Sequence, residues 1–165
     1  MSTLPAPVSE ASGRAVARTQ PTLAPVPPLA AGQASRGTPE QAEALLQALS
    51  ALGVDYRYGG KSPTSGFDCS GLVAHVFLEA YGVRLPANAR AQSDAGQPVS
   101  FDELQPGDLV FYDTLNQPFS HVGIYLGDGK FIHAPRAGAS VRVESLRSAY
   151  WSRRWNGARR IPLPA

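Results

Sequence analysis

The sequence predicts an α+β domain, with helices in its first half and an antiparallel sheet in its second. Three observations lead there. Apolar residues recur at helical spacing over two segments before residue 82. After residue 105 the pattern changes to short runs alternating apolar and polar residues. Glycine-rich turns separate those runs, and no helical segment is interleaved between most of them, which argues against a parallel sheet.

The elements follow in order. Residues 1–36 are rich in Ala, Pro, Ser and Thr without helical or strand period. Such a segment cannot bury enough apolar surface to offset the entropy of ordering it, so a flexible tether is expected there and a single domain over 37–165. In "GTPEQAEALLQALSALGV", Thr38 is placed to cap a helix, Pro39 suits its first position and Gln41 completes a capping box. Ala42, Leu45, Leu46, Leu49 and Leu52 repeat as its expected buried face, with Gly53 as a left-handed stop. After the loop "VDYRYGGKSPTSGF", a second helix starts near Cys69, with Leu72, Val73, Val76, Phe77 and Ala80 on one face and Gly82 at its end. A short helical patch is expected around 88–95. "QPGDLVFYD" reads as a turn into a strand, "HVGIYLGDGKFIHAP" as a hairpin, and "SVRVESL" and "GARRIPL" as two further strands.

Composition narrows the function classes. The chain has 165 residues and one cysteine, which excludes an intramolecular disulfide and an all-cysteine zinc cage. A net charge of +2 does not argue for nucleic acid, and none is expected as a partner. No apolar run approaches the roughly 20 residues of a membrane-spanning helix. The first 33 residues also lack the uninterrupted apolar core, roughly 7–15 residues, of a secretory signal, so no export route is visible in them.

The one cysteine stands in "GFDCSGLVAHVF", at a glycine-flanked boundary between loop and helix. In the first helical turn its sulfur lies near unpaired backbone N–H groups and the positive end of the helix dipole. Both favour the nucleophilic thiolate, and the same N–H groups, that of Cys69 among them, could hold an oxyanion. Asp68 is a plausible cap. The competing reading is a buried structural thiol.

Two of the three histidines lie on the expected hairpin. Alternation puts His121 on one face with Gly123 and Tyr125. The turn decides where His133 falls. A two-residue Asp128-Gly129 loop would pair Gly127 with Lys130 and place the histidines on opposite faces. A three-residue loop over 127–129 would set His133 opposite Gly123, making the two imidazoles diagonal neighbours. In that second case a helix-start cysteine facing two imidazoles supplies the nucleophile, base and orienting group of a cysteine hydrolase. His75, about 240° around the helix from Cys69, should point elsewhere.

"YRYGG" at 56–60, "DCSGL" at 68–72, "LQPGDLVFY" at 104–112, "SHVGIYLGDGKFIHA" at 120–134 and "ARRI" at 158–161 resemble the NlpC-type peptidases, papain-like cysteine endopeptidases of bacterial cell walls. The likeness runs from about residue 38 to the end of the sequence. It implies a papain-like NlpC-type fold, with N-terminal helices packed on a curved antiparallel sheet. It implies Cys69 as nucleophile, His121 as general base and His133 as the orienting residue. Tyr58, Asp68, Ser70 and Ser120 are then the expected substrate-binding residues. It also implies cleavage of peptidoglycan stem peptides at the γ-D-glutamyl–meso-diaminopimelate bond. No cofactor or metal is expected, and the expected form is a monomer in the cell envelope, periplasmic or secreted.

One departure stands out. Many members carry arginine after "LP", where this chain has Ala87 and places Arg90 three residues later. The C-terminal "ESLRSAYWSRRWNGARRIPL" admits two readings: a surface for anionic wall polymer, or aromatics packed inward with arginines reaching out. Three other functions compete with the peptidase: a zinc site built from Cys69, His121 and His133, another amidase or acyltransferase on the same scaffold, and a non-catalytic wall-binding module.

Overall fold

The computed structural model describes residues 38–164, so the expected tether lies outside the described residues. Helix α1 spans Pro39–Leu49. Its capping box is formed as expected: the Thr38 hydroxyl accepts the Gln41 N–H, and the Gln41 side chain accepts the Thr38 N–H. The expected leucine face is not the buried one. Ala44, Ala48 and Ala51 are buried against the core, whereas Leu46 is 65 % exposed and Leu49 and Leu52 are also exposed. Alanines let α1 lie close against the next helix, and close approach outweighs the larger apolar area of the leucines. The helix stops at Ser50. Gly53 is left-handed, at φ 85°, but lies a turn further on, donating its N–H to the Val141 carbonyl.

A small hairpin follows, β1 (Lys61–Ser62) with β2 (Gly66–Phe67). Strands this short carry no period to read. Helix α2 spans Cys69–Tyr81, capped by Asp68 and closed by left-handed Gly82, and it buries Leu72, Val73, Val76 and Phe77 as expected. The patch after it is α3, Ala89–Ser93, capped by Asn88.

The sheet contains β3 (Gln97–Val99), β4 (Leu109–Tyr112), β5 (His121–Gly127), β6 (Lys130–His133), β7 (Arg142–Ser145) and β8 (Trp155–Arg160). Its order is β3-β8-β4-β5-β6-β7, with every pair antiparallel. All four residues of β4 are buried, because α2 covers one face and an aromatic cluster covers the other. That second cluster joins Val110, Tyr112 and Phe131 to Trp151 from the short helix α4, Ala149–Ser152. The molecule is thus layered α1, α2, sheet, with α2 set against β5. Pairing slips at Phe111/Tyr112 against β8 and again between Tyr125 and Gly127. Such bulges bend a sheet.

The first turn of α2 comes unusually near the preceding loop. A Cβ at Gly71 would sit 1.9 Å from the Gly60 carbonyl oxygen, a backbone atom that no rotamer change can remove. Gly71→Ala is expected to lower the unfolding free energy by about 2–4 kcal/mol, the range of severe overpacking. Urea titration checks it; wild-type stability would show that the loop yields freely.

Candidate active site

Cys69 is the first residue of α2 because Asp68 ends the extended chain there. One Asp68 oxygen accepts the Gly71 N–H at 2.6 Å, and the other accepts the Gly59 N–H at 3.0 Å. The Asp68 N–H in turn donates to the Gly60 carbonyl. One carboxylate therefore starts the cysteine helix and fastens to it the loop that presents Tyr58, which is 92 % exposed.

Cys69 opens onto a groove of about 370 Å³ that His121 also lines, along with Tyr56, Tyr58, Ser120, Arg136 and Trp151. Burial, aided by the Asp68 charge, pushes the thiol up to about 11, while the nearby backbone groups of Val122, Ser70 and Cys69 pull the other way. This corrects the expectation of a favoured thiolate. The helix start is there, but taking the charge out of water outweighs it.

The hairpin resolves the question of the histidines by a route combining features of both alternatives. The turn is the two-residue one: Asp128 and Gly129 both have positive φ, 55° and 74°, and Gly127 pairs with Lys130. A bulge at Leu126 then shifts the register by one, so Tyr125 pairs with Phe131 and Ile124 with Ile132. His133 consequently comes level with Gly123, whose missing side chain leaves the space; a Cβ there would lie 3.1 Å from that of His133. His121 Nε2 and His133 Nδ1 are in hydrogen-bond contact at 2.8 Å, with the rings nearly perpendicular. Both imidazoles are buried.

Two groups that the sequence did not assign to the site complete the arrangement. Glu144 Oε2 is 2.8 Å from His133 Nε2, and it accepts the Arg142 Nε–H at 2.9 Å. The Trp151 indole donates to Glu144 Oε1 at 3.0 Å, and its ring stacks on His121 at 5.3 Å and 19°. The packed reading of the C-terminal aromatics therefore holds for Trp151. The available signal was alternation: Arg142, which pairs with His133, and Glu144, diagonal to it, share a face of β7, but the β6–β7 register depends on a loop with no turn signature.

The other expected site residues divide. Tyr58 and Ser120 line the groove; Ser120 also accepts the Thr114 N–H. Asp68 and Ser70 border a separate cavity of about 450 Å³ with Lys61, His75 and Arg84. Ser70 donates to the Ala87 carbonyl and to Asp68. His75 packs on Phe67, away from Cys69 as expected. Arg90 borders a third cavity, which shares Leu115 and Ser120 with the Cys69 groove. Among the described residues, no three or more His, Cys, Asp or Glu side chains are grouped to hold a metal ion, and no helix is long and apolar enough to cross a membrane.

A cysteine at a helix start, set beside an antiparallel sheet that carries the imidazoles, defines a papain-like α+β domain. The model of the NlpC/P60 family matches residues 53–160, and this chain belongs to that family. It is 41 % identical over 124 residues to the murein DD-endopeptidase MepH of Escherichia coli, an alignment covering 73 % of this chain and 46 % of that one. It is 42 % identical over 111 residues to the gamma-DL-glutamyl hydrolase of Bacillus subtilis, covering 67 % and 27 %. The chain thus spans less than half the length of either relative. The solved NlpC/p60 domain of the peptidoglycan hydrolase SagA superposes with a TM-score of 0.65 at 35 % identity, covering 73 % of this chain and 98 % of that one.

Burial holds both imidazoles well below their ordinary value; their mutual repulsion adds to this for His121, and Glu144 offsets part of it for both. An unfolded imidazole takes up a proton near pH 6.5, whereas these refuse it until much lower pH. Their contribution to stability is present above about pH 6.5 and lost as pH falls towards the folded values, at up to about 1.4 kcal/mol per pH unit for each ring. Urea titrations at pH 7.5 and pH 5 are expected to show the weaker fold at pH 5. Equal stability would mean that the rings protonate freely.

Proposed function

We propose that this domain is a cysteine endopeptidase of peptidoglycan stem peptides, cutting the γ-D-glutamyl–meso-diaminopimelate amide. The observation that carries the reading is the groove shared by Cys69 and His121, with His133 hydrogen-bonded behind the second of them. The family and the names of its relatives support the substrate class.

His121 uses Nε2 on His133, so Nδ1 is the nitrogen left for the thiol. As Cys69 Sγ bonds to the substrate carbonyl carbon, its proton passes to His121 Nδ1. The resting pair is neutral, so this transfer accompanies attack instead of preceding it. Backbone N–H groups at the start of α2, that of Cys69 among them, stabilise the oxyanion. The tetrahedral centre collapses, the C–N bond breaks, and the imidazolium returns the proton to the leaving amine. Water, deprotonated by His121, then splits the thioester and restores the thiol. Both reacting side chains belong to one chain, so no step requires a second copy. Peptidoglycan places the site of action in the cell envelope.

Among the described residues, Arg136 is the one formally charged side chain on the wall of this groove, and stem peptides carry free carboxylates beside the scissile bond. Arg136→Ala is expected to raise KM about tenfold, the effect of one charged contact, with kcat within twofold. An unchanged KM would remove Arg136 from substrate recognition.

The decisive test is digestion of diaminopimelate-type peptidoglycan with wild type and Cys69→Ala, followed by mass identification of the fragments. The expected outcome is new fragments ending in γ-D-glutamate from wild type and none from the variant. Cleavage only at cross-links between D-centres would move the substrate bond. Equal cleavage by both proteins would refute the nucleophile.

A further inference from the structure

We infer that Glu144 is a positioning residue whose carboxylate sets the proton direction through His133 and His121, leaving His121 Nδ1 as the free base toward Cys69. The inference rests on the peptidase reading only for its kinetic consequence.

An ionised carboxylate can only accept hydrogen bonds. Three donors surround that of Glu144: the Trp151 indole on Oε1, and the Arg142 guanidinium and His133 Nε2 on Oε2. Burial alone would raise this acid, but the three donors outweigh it and hold the carboxyl at about 2. The hydrogen between Glu144 and His133 therefore sits on His133 Nε2. A neutral imidazole carries one N–H, so His133 Nδ1 is a lone pair. That nitrogen is 2.8 Å from His121 Nε2, which must then supply the hydrogen of their contact. By the same count His121 Nδ1 is left bare. Reversing the proton order would aim a lone pair at a carboxylate and put an N–H where a base is needed.

The hold on Glu144 is itself fixed. Trp151 is buried, and its indole both stacks on His121 and bonds to Glu144, so ring and carboxylate are referred to one rigid plate. Arg142 lies two residues away on the same face of β7. When His121 takes the thiol proton, the relay also ends on a negative charge, which stabilises the imidazolium.

Nitrogen-15 NMR of histidine-labelled protein reads this without substrate. Both His121 and His133 are expected as Nε2–H forms with unprotonated Nδ1; an Nδ1–H form of either ring in the unsubstituted protein overturns the inference. Glu144→Gln keeps the shape and removes the charge. Its kcat is expected to fall about 10–100-fold, as for other outer partners of a functional imidazole, with KM within threefold. Wild-type kcat in that variant overturns the inference as well. If the variant folds poorly, the ring assignment in the unsubstituted protein decides alone. Failure of the peptidase reading shows separately, as activity surviving Cys69→Ala.

Discussion

Side chains on a strand alternate faces, so the one-residue bulge at Leu126 governs where His133 lies. The Asp128-Gly129 turn is the favoured tight hairpin, matching the right-handed twist of its strands. By itself it would send the two imidazoles to opposite sides of the sheet. The inserted residue reverses the alternation past the turn, and Gly123 leaves the space that the approaching His133 needs. Turn, bulge and glycine are separate local features, and only together do they bring Nε2 of one ring to Nδ1 of the other.

From that contact the rest of the arrangement follows. Two buried neutral rings are costly unless their polar atoms are paired, and each pairing determines the next. The chain of partners runs outward to Glu144 and stops at a carboxylate that is partly exposed and held by Arg142 and Trp151. Trp151 of the C-terminal aromatic segment thereby belongs to the site. Tyr150 lines the same groove, with the Arg154 guanidinium over its ring.

Much of this was legible from residue order alone. Cys69 announced itself by its glycine neighbours and a capping aspartate, and His121 and His133 by their place on a glycine-marked hairpin, although alternation alone left open which face His133 takes. The capping box at Thr38 and the stop at Gly82 were equally plain, since local chemistry decides them. What escaped depends on distant partners. The alanine face of α1 buries because α2 comes close, and no periodicity distinguishes that from a leucine face. Glu144 meets His133 through a strand register set by an irregular loop, and Trp151 reaches His121 from the short helix that follows that strand. The raised pKa of Cys69 escaped for a different reason: a helix start can be read from sequence, but how far the sulfur is withdrawn from water cannot.

That withdrawal has a consequence for durability. Thiolates, not thiols, react readily with peroxides and stray electrophiles, and the first oxidation step can lead on to forms that cannot be reversed. Half-buried on the groove wall, with its pKa raised, the Cys69 sulfur favours the protonated form, the less reactive of the two. This chain has one cysteine, so no second thiol within it stands ready to rescue an oxidised Cys69, and a sulfur that favours its protonated form is less exposed to that loss.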